Sequence, residues 1–418
     1  MRHLRIFGNG VLFATCAVLA LALLFNLSAP FCLTTFAAGK EPIKIGYVNP
    51  STGVFATIGK AGSEGVNLAV KKINEAGGVN GHQLLVIERD SAANPAQALR
   101  MSRELIFQEE VDVLIGGLSS SECLAISPFA EETEIAYMTS SGCWTDAFSD
   151  ERCNRYAFRH VANDRQRIMS FARWLIENVG KTWYVAYSDF AYGQSGFRNF
   201  SQIMEEMGAS IIGSVAAPLG TTDMAPYMSK VDTNADGLFM VFAGRDGVLA
   251  MKQIAELGLH KKMKITANQS ILIRELWPKL PEAAEGLTMI AWYPSGALEG
   301  PLDTPYNRWF HDECKEFTGK ELPGLNTIEG YTAINLLAKG MRLSGFQSRK
   351  DTKNLIGALE GIEVKESNEF PQGSFRIRGQ DHQAISRLFV VQVREGAEKI
   401  IATIPADETA YPPKCNVK

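Results

Sequence analysis

A chain of 418 residues with 46% apolar and 21% charged residues is too long for one ordinary core and reads as a globular protein of two domains. Its formal net charge is −4 with no basic block, which removes electrostatic support for nucleic-acid binding. The six histidines are scattered, with no pair at metal-ligand spacing, so neither a metal nor a cofactor is expected.

The N-terminus departs from this composition. Arg2, His3 and Arg5 precede an apolar run from Val11 to Phe25, and a softer stretch leads to Thr35-Phe36-Ala37. A basic end, an apolar middle and small residues before a polar start describe a secretory signal peptide over 1–37. A membrane anchor is the competing reading, but the apolar run is shorter than the ~20 residues a spanning helix needs. Export to the periplasm is therefore expected, and it permits disulfides. Beyond the leader the cysteine count is odd: Cys123, Cys143, Cys153, Cys314 and Cys415. Cys143 and Cys153 flank "WTDAFSDER", a polar stretch that reads as a loop, so they are expected to close a small ring. Cys314 and Cys415 are the second candidate pair.

From residue 43 the pattern is regular. "IKIGYVN" is an apolar strand, and "PSTGVFATIG" reads as the loop after it. Val66, Ala69, Val70, Ile73 and Ala76 recur at helical spacing until Gly77-Gly78 stops the helix. "QLLVIERD" is a strand, and Asn94-Pro95 opens the next helix with proline at its first position. "VDVLIGG", a helix through "ECLAISPFAEET", and "IAYMTSSG" continue the alternation. It restarts with a helix over 165–179, then "TWYVAYS", a helix closed by Gly208, "SIIGSVAA", "GLFMVFAG" and "MKITAN". After "GLTMIAWY" come helices near 303–318 and 327–345, then the strands "SFRIRG", "RLFVVQVR" and "KIIATIP". Such alternation builds mainly parallel sheets with helices on both faces. No low-complexity linker divides the two halves, which predicts two intimately connected lobes.

In open parallel sheets, ligands sit at the carboxyl ends of strands, where loops lead into helix N-termini. The clusters "GGLSSS" and "TSSG" both fall at such points. Glycine and serine there allow close backbone approach to a ligand. The plainer alternative is ordinary turns with capping serines. Catalytic signatures are missing. "GKAGSEG" lacks the Gly-Lys-Ser/Thr ending of a phosphate loop, there is no G-x-S-x-G elbow, and no histidine stands near Ser119–Ser121 in sequence. A binder is expected, not an enzyme.

The stretch "IKIGYVNPSTGVFATIGKAGSEGVNLAVKKINEAGGVNGHQLLVIERDSAANPAQAL" resembles the start of the leucine/isoleucine/valine-binding proteins. "VDVLIGGLSSSECLAISPFAEETEIAYMTSSG", "YAFR", "DFAYGQSG" and "EGLTMIAWYP" continue the likeness in order. These are periplasmic solute-binding components of ABC importers with the type I two-lobed fold. The resemblance implies three interlobe crossovers near residues 160, 290 and 370. It thus assigns 38–160 and 291–370 to one lobe, and 161–290 and 371–418 to the other. It also implies a ligand-closing cleft, an inner-membrane permease as partner and a monomer.

By that resemblance, Ser120 beside Ser119 holds a ligand carboxylate, and Ser141-Gly142-Cys143 lies near the α-ammonium. Cys143 stands where the family has threonine. Tyr192 covers the ligand from the second lobe. A further family aromatic falls on Arg245, and the acid that pairs with the ammonium falls on Gln269. Those two residues suit an ammonium poorly, since a buried cation wants an opposite charge. An arginine in the cleft suits a second carboxylate, or a carboxylate without an amine. Asp246 offers an alternative counter-charge, and the plainer reading of Arg245 is a helix-start residue facing solvent. The expected ligand is a branched-chain amino acid or a related small carboxylate. The alternative function is a ligand-sensing receptor of the same fold that controls a signalling partner.

Overall fold

A computed structural model describes residues 40–271 and 284–417; the expected signal peptide lies outside the described residues. The first sheet is built from β1 (Ile43–Asn49), α1 (Ala56–Glu75), β2 (Leu84–Asp90), α2 (Pro95–Phe107), β3 (Val113–Gly116), α3 (Ser120–Glu132), β4 (Tyr137–Thr139) and β5 (Ala157–Phe158). Its strands run parallel in the order β2-β1-β3-β4-β5. Six of the seven residues of β1 are buried, the pattern of a parallel strand covered by helices on both faces. Local capping agrees with the chain direction. Asn94 accepts from Gln97 N at 3.0 Å to start α2. Ser119 and Glu122 form a reciprocal capping box at the start of α3.

The second sheet follows from α4 (Asp164–Asn178), β6 (Thr182–Asp189), α5 (Ala191–Glu206), β7 (Ser210–Pro218), α6 (Ala225–Met228), β8 (Gly237–Val241), α7 (Gly244–Glu256), β9 (Lys264–Asn268) and β10 (Thr288–Ala291). The chain then forms α8 (Pro305–Thr318), α9 (Leu325–Ser344) and α10 (Thr352–Leu359). A small antiparallel sheet, β11 (Glu363–Val364), β12 (Phe375–Ile377) and β13 (Ala384–Ser386), leads to β14 (Leu388–Arg394) and β15 (Ala397–Ile404). These last two join the second sheet antiparallel, giving the order β15-β14-β10-β9-β8-β6-β7.

Helix α9 returns to pack on α1 of the first sheet. The approach is close enough to require glycine: a Cβ on Gly65 would stand 1.9 Å from the Thr327 carbonyl oxygen. The two-lobed α/β architecture expected from the alternation is thus present.

Two local readings need correction. The segment 50–59 is not all loop; α1 begins at Ala56. Gly59 allows this, because a Cβ there would lie 2.0 Å from the Pro50 carbonyl oxygen.

The disulfides also differ from expectation. Cys143 does not pair with Cys153. It joins Cys123 on α3, with Cα atoms 6.0 Å apart, while Cys153 joins Cys415 at a Cα separation of 6.5 Å. Cys314, expected opposite Cys415, is buried in α8 and free.

The reason lies in the segment between Cys143 and Cys153, which is polar but folded. Trp144 through Asp150 are all buried around a short helical turn at Asp146–Phe148. Arg159, fully buried, organises it by donating to the carbonyls of Cys143 and Thr145 at 2.6 Å and to Ser149 Oγ at 2.6 Å. Cys143 takes a positive φ of 54° and donates its N–H to Leu118 O at 2.8 Å, which brings it beside α3. Cys153, at the other end, meets the C-terminal tail.

Candidate functional site

Loops at the carboxyl ends of strands from both sheets converge on one cavity. Phe55 comes from the turn after β1, Ile58 from the first turn of α1, and Leu118, Ser119 and Ser120 from the β3–α3 junction. Gly142, Cys143 and Trp144 follow β4. The second sheet contributes Phe190 and Tyr192 after β6, Ala243 after β8 and Ser270 after β9. Leu325 and Asn326 at the start of α9 complete the lining.

Aromatic rings bridge the two sides. Phe55 and Phe190 have centroids 6.1 Å apart, and Trp144 meets Tyr192 at 5.6 Å. The Tyr192 hydroxyl is hydrogen-bonded to Ser270 Oγ, which itself donates to Phe242 O at 2.8 Å. Burial raises the Tyr192 pKa, so the phenol keeps its proton and can donate as well as accept. The cavity is about 40 Å³, well below the ~150 Å³ of a void that holds benzene. Entry of a ring-sized ligand therefore requires the walls to separate.

Five of the eight expected site residues line this cavity: Ser119, Ser120, Gly142, Cys143 and Tyr192. The Ser119 side chain is engaged as the helix cap. Ser120 Oγ accepts from Thr145 N at 3.2 Å, which leaves its own proton available. Ser141 stands just behind the wall, donating to Glu329 Oε2 at 2.7 Å.

Arg245 and Gln269 are outside the lining. Arg245 is half exposed and donates to Gly220 O at 3.2 Å. Its neighbour Asp246 accepts from Gly220 N at 2.7 Å, so this pair ties the start of α7 to the loop after β7. Gln269 is fully buried; its amide donates to Tyr293 O and its carbonyl accepts from Trp292 N at 3.1 Å. The next residue, Ser270, takes the cavity-facing position.

Sequence reasoning missed two buried ionisable groups near the wall. Glu329 on α9 accepts from Ser141 Oγ, Gly142 N at 3.0 Å and Asn326 Nδ2 at 3.3 Å. Burial raises its pKa, opposed by the Ser141 hydroxyl, the Arg167 charge and the Gly142 N–H. Arg167 in the first turns of α4 lies over the Trp144 ring, its guanidinium carbon 3.9 Å from the centroid. A signal for Arg167 existed: it stands four residues before Phe171, on the buried stripe of its helix.

A family model described as periplasmic binding protein matches residues 42–398. The chain belongs to the periplasmic binding protein family. Among its relatives is the Leu/Ile/Val-binding protein homolog 6 of Brucella suis, 23% identical over 340 residues, covering 80% of this chain and 84% of that protein. Another is the leucine-, isoleucine-, valine-, threonine- and alanine-binding protein of Pseudomonas aeruginosa, 25% identical over 328 residues, covering 78% and 84%. A solved structure from Rhodopseudomonas palustris superposes with a TM-score of 0.78 at 25% identity, covering 87% of this chain and 98% of that one. It is a solute-binding protein of an ABC transporter in complex with 3,4-dihydroxybenzoic acid. This periplasmic binding protein thus has binding proteins, not enzymes, among its relatives. Among the described residues no helix is long and apolar enough to cross a membrane.

Proposed function

We propose that this protein is the extracytoplasmic solute-binding component of an ABC importer. It takes a branched-chain amino acid or a related small carboxylate in a cleft that closes on the ligand and delivers it to an inner-membrane permease. The observation that carries the reading is the convergence of strand-end loops from two sheets on one aromatic-lined cavity, the usual place for a ligand in such folds. The amino acids named for the Pseudomonas relative and the dihydroxybenzoate held by the Rhodopseudomonas protein both belong to the proposed class.

In this scheme residues 1–37 are a cleaved leader and the mature chain works in the periplasm. The lobes divide as 38–160 with 291–370, and 161–290 with 371–418. The N-terminus of α3, with Ser120, holds one polar end of the ligand through hydroxyl and N–H groups favoured by the helix dipole. Ser119 shapes that terminus, Ser141, Gly142 and Cys143 form the adjoining wall, and Tyr192 covers the ligand from the other side. Arg245 acts at the rim of the second lobe, and Gln269 supports Ser270.

A thermal-shift screen with leucine, isoleucine, valine, benzoate and 3,4-dihydroxybenzoate tests the function, since a ligand that binds only the folded state raises Tm. No shift with any small carboxylate, in protein shown to be folded, would refute it.

A further inference from the structure

Arg167 is fully buried, and its side chain is only partly used. Its Nε donates to Ala162 O at 3.1 Å, while both terminal nitrogens make no hydrogen bond among the described residues. The guanidinium stacks on Trp144, which lines the cavity, and it is close enough to Tyr192, also in the lining, to interact with it electrostatically.

Two acids face it, and neither forms an ion pair with it within 4.0 Å. Asp164 is pushed up to about 8 by burial and so holds its proton at neutral pH. Glu329 commits Oε2 to Ser141, Gly142 and Asn326, and its Oε1 makes no hydrogen bond among the described residues. It is the principal charge that supports the guanidinium, at a distance beyond an ion pair. A buried guanidinium stays charged, and a buried charge without a bonded counter-ion is costly. Among the described residues the cavity lining contains no charged side chain. A ligand ammonium entering the cleft would therefore find no lining carboxylate among the described residues and would have a buried cation behind the Trp144–Tyr192 wall.

We propose that Arg167 sets the ligand class: the cleft selects a carboxylate that carries no ammonium group, such as an aromatic or 2-oxo acid, and the guanidinium supplies the charge that neutralises it. This rests on the reading above that the cleft holds a small carboxylate. It narrows that reading against α-amino acids.

Calorimetry on matched pairs tests it. Leucine and 4-methyl-2-oxopentanoate differ in the α-group, and benzoate and benzamide differ in charge. The carboxylate without an ammonium is expected to bind roughly 10- to 100-fold tighter in each pair, the scale of a charge-assisted hydrogen bond. Arg167→Met should remove most of that advantage, while Arg167→Lys, which keeps the charge but loses the planar fork, should retain part of it.

Leucine binding more tightly than its 2-oxo counterpart, with the preference lost in Glu329→Gln, would assign the ammonium to Glu329 and overturn the inference while leaving the solute-binding function intact. Unchanged carboxylate affinity in folded Arg167→Met would overturn it equally. If that variant does not fold, the wild-type pairs decide alone. Binding of none of the four probes would overturn the carboxylate cleft and this inference together.

Discussion

The Trp144 indole and the Tyr192 ring meet edge to face, their planes 74° apart, although Trp144 follows a strand of the first sheet and Tyr192 a strand of the second. Edge-to-face pairs of this kind contribute about 0.5–1.5 kcal/mol beyond their buried area. The contact therefore holds the two sides of the cavity together, and a ring-sized ligand can enter only where it parts.

Tyr192→Ala removes that wall and the bond to Ser270. Affinity for whichever of leucine or benzoate binds should fall roughly 10- to 100-fold, the loss expected on truncating a buried aromatic anchor. Ser120→Ala should cost about 1–2 kcal/mol of binding, the scale of a hydrogen bond to a charged acceptor. Calorimetry on both variants is the check. Unchanged affinity in the two together would mean the ligand sits elsewhere.

A second interlobe contact is polar. Asp146 accepts from Ser195 Oγ at 3.1 Å and from Arg198, both on α5. Arg198 is half exposed, so its ion pair is worth less than about 1 kcal/mol. Arg198→Ala should loosen closure modestly, weakening ligand affinity no more than ~5-fold and raising the radius of gyration in ligand-free scattering. Identical scattering and affinity would show that this contact does not bias the cleft.

Non-reducing peptide mapping should recover Cys123–Cys143 and Cys153–Cys415 linked peptides, with Cys314 alkylated only after unfolding. Replacing Cys123 and Cys143 by serine should cost about 3 kcal/mol in the chain-entropy treatment of a 20-residue loop. Removing Cys153–Cys415 should cost more, to about 5 kcal/mol, because its loop is longer. Urea titrations of the paired variants measure both. A recovered Cys143–Cys153 peptide would contradict the pairing.

Stability should pass through a maximum with pH. Burial depresses His160 and His311 to about 4. Between that value and the unfolded histidine pKa of about 6.5, the unfolded chain binds more protons, so stability falls as the solution is acidified. Burial instead raises Asp164 to about 8. From the unfolded Asp pKa of about 3.9 upward, the folded state keeps a proton the unfolded chain has lost, so this group costs stability as pH rises. Between pH 6.5 and 8 the histidine effect is exhausted and the aspartate effect remains. Asp164→Asn should therefore flatten a decline in urea midpoint across that window. A wild-type midpoint that rises through it would count against the assignment.

Much of the architecture was legible because local signals agreed with one another. The run Ile43–Asn49, the cap at Asn94 with Pro95, and the alternation through β9 each announce their element. Ser120 was legible through its position at a strand end, and Tyr192 through the resemblance of "DFAYGQSG" to the family. Other site residues were not, for physical reasons. Trp144 sits in a stretch whose polarity suggests a solvated loop, and buried partners distant in sequence, the Arg159 guanidinium among them, make that stretch a folded wall. Gln269 and Ser270 differ by one residue, and a strand end does not say which of two neighbours faces the cavity. Cysteine pairing depends on which segments meet in space, so spacing along the chain could not supply it.

With Cys153 bonded to Cys415, the polypeptide is a lariat. Every strand of the second sheet, and helix α9 that packs back on α1, lies on the closed circle; β1 through β4 lie on its free arm. A protease that cuts once anywhere on the circle leaves a single covalent molecule until a reductant is added, and so does a cut inside the small Cys123–Cys143 loop of the arm, whereas one cut elsewhere on the arm severs a fragment covalently at once. The knot of the lariat ties the tail to the segment that carries Trp144, so the end of the chain is fastened to a wall of the cleft.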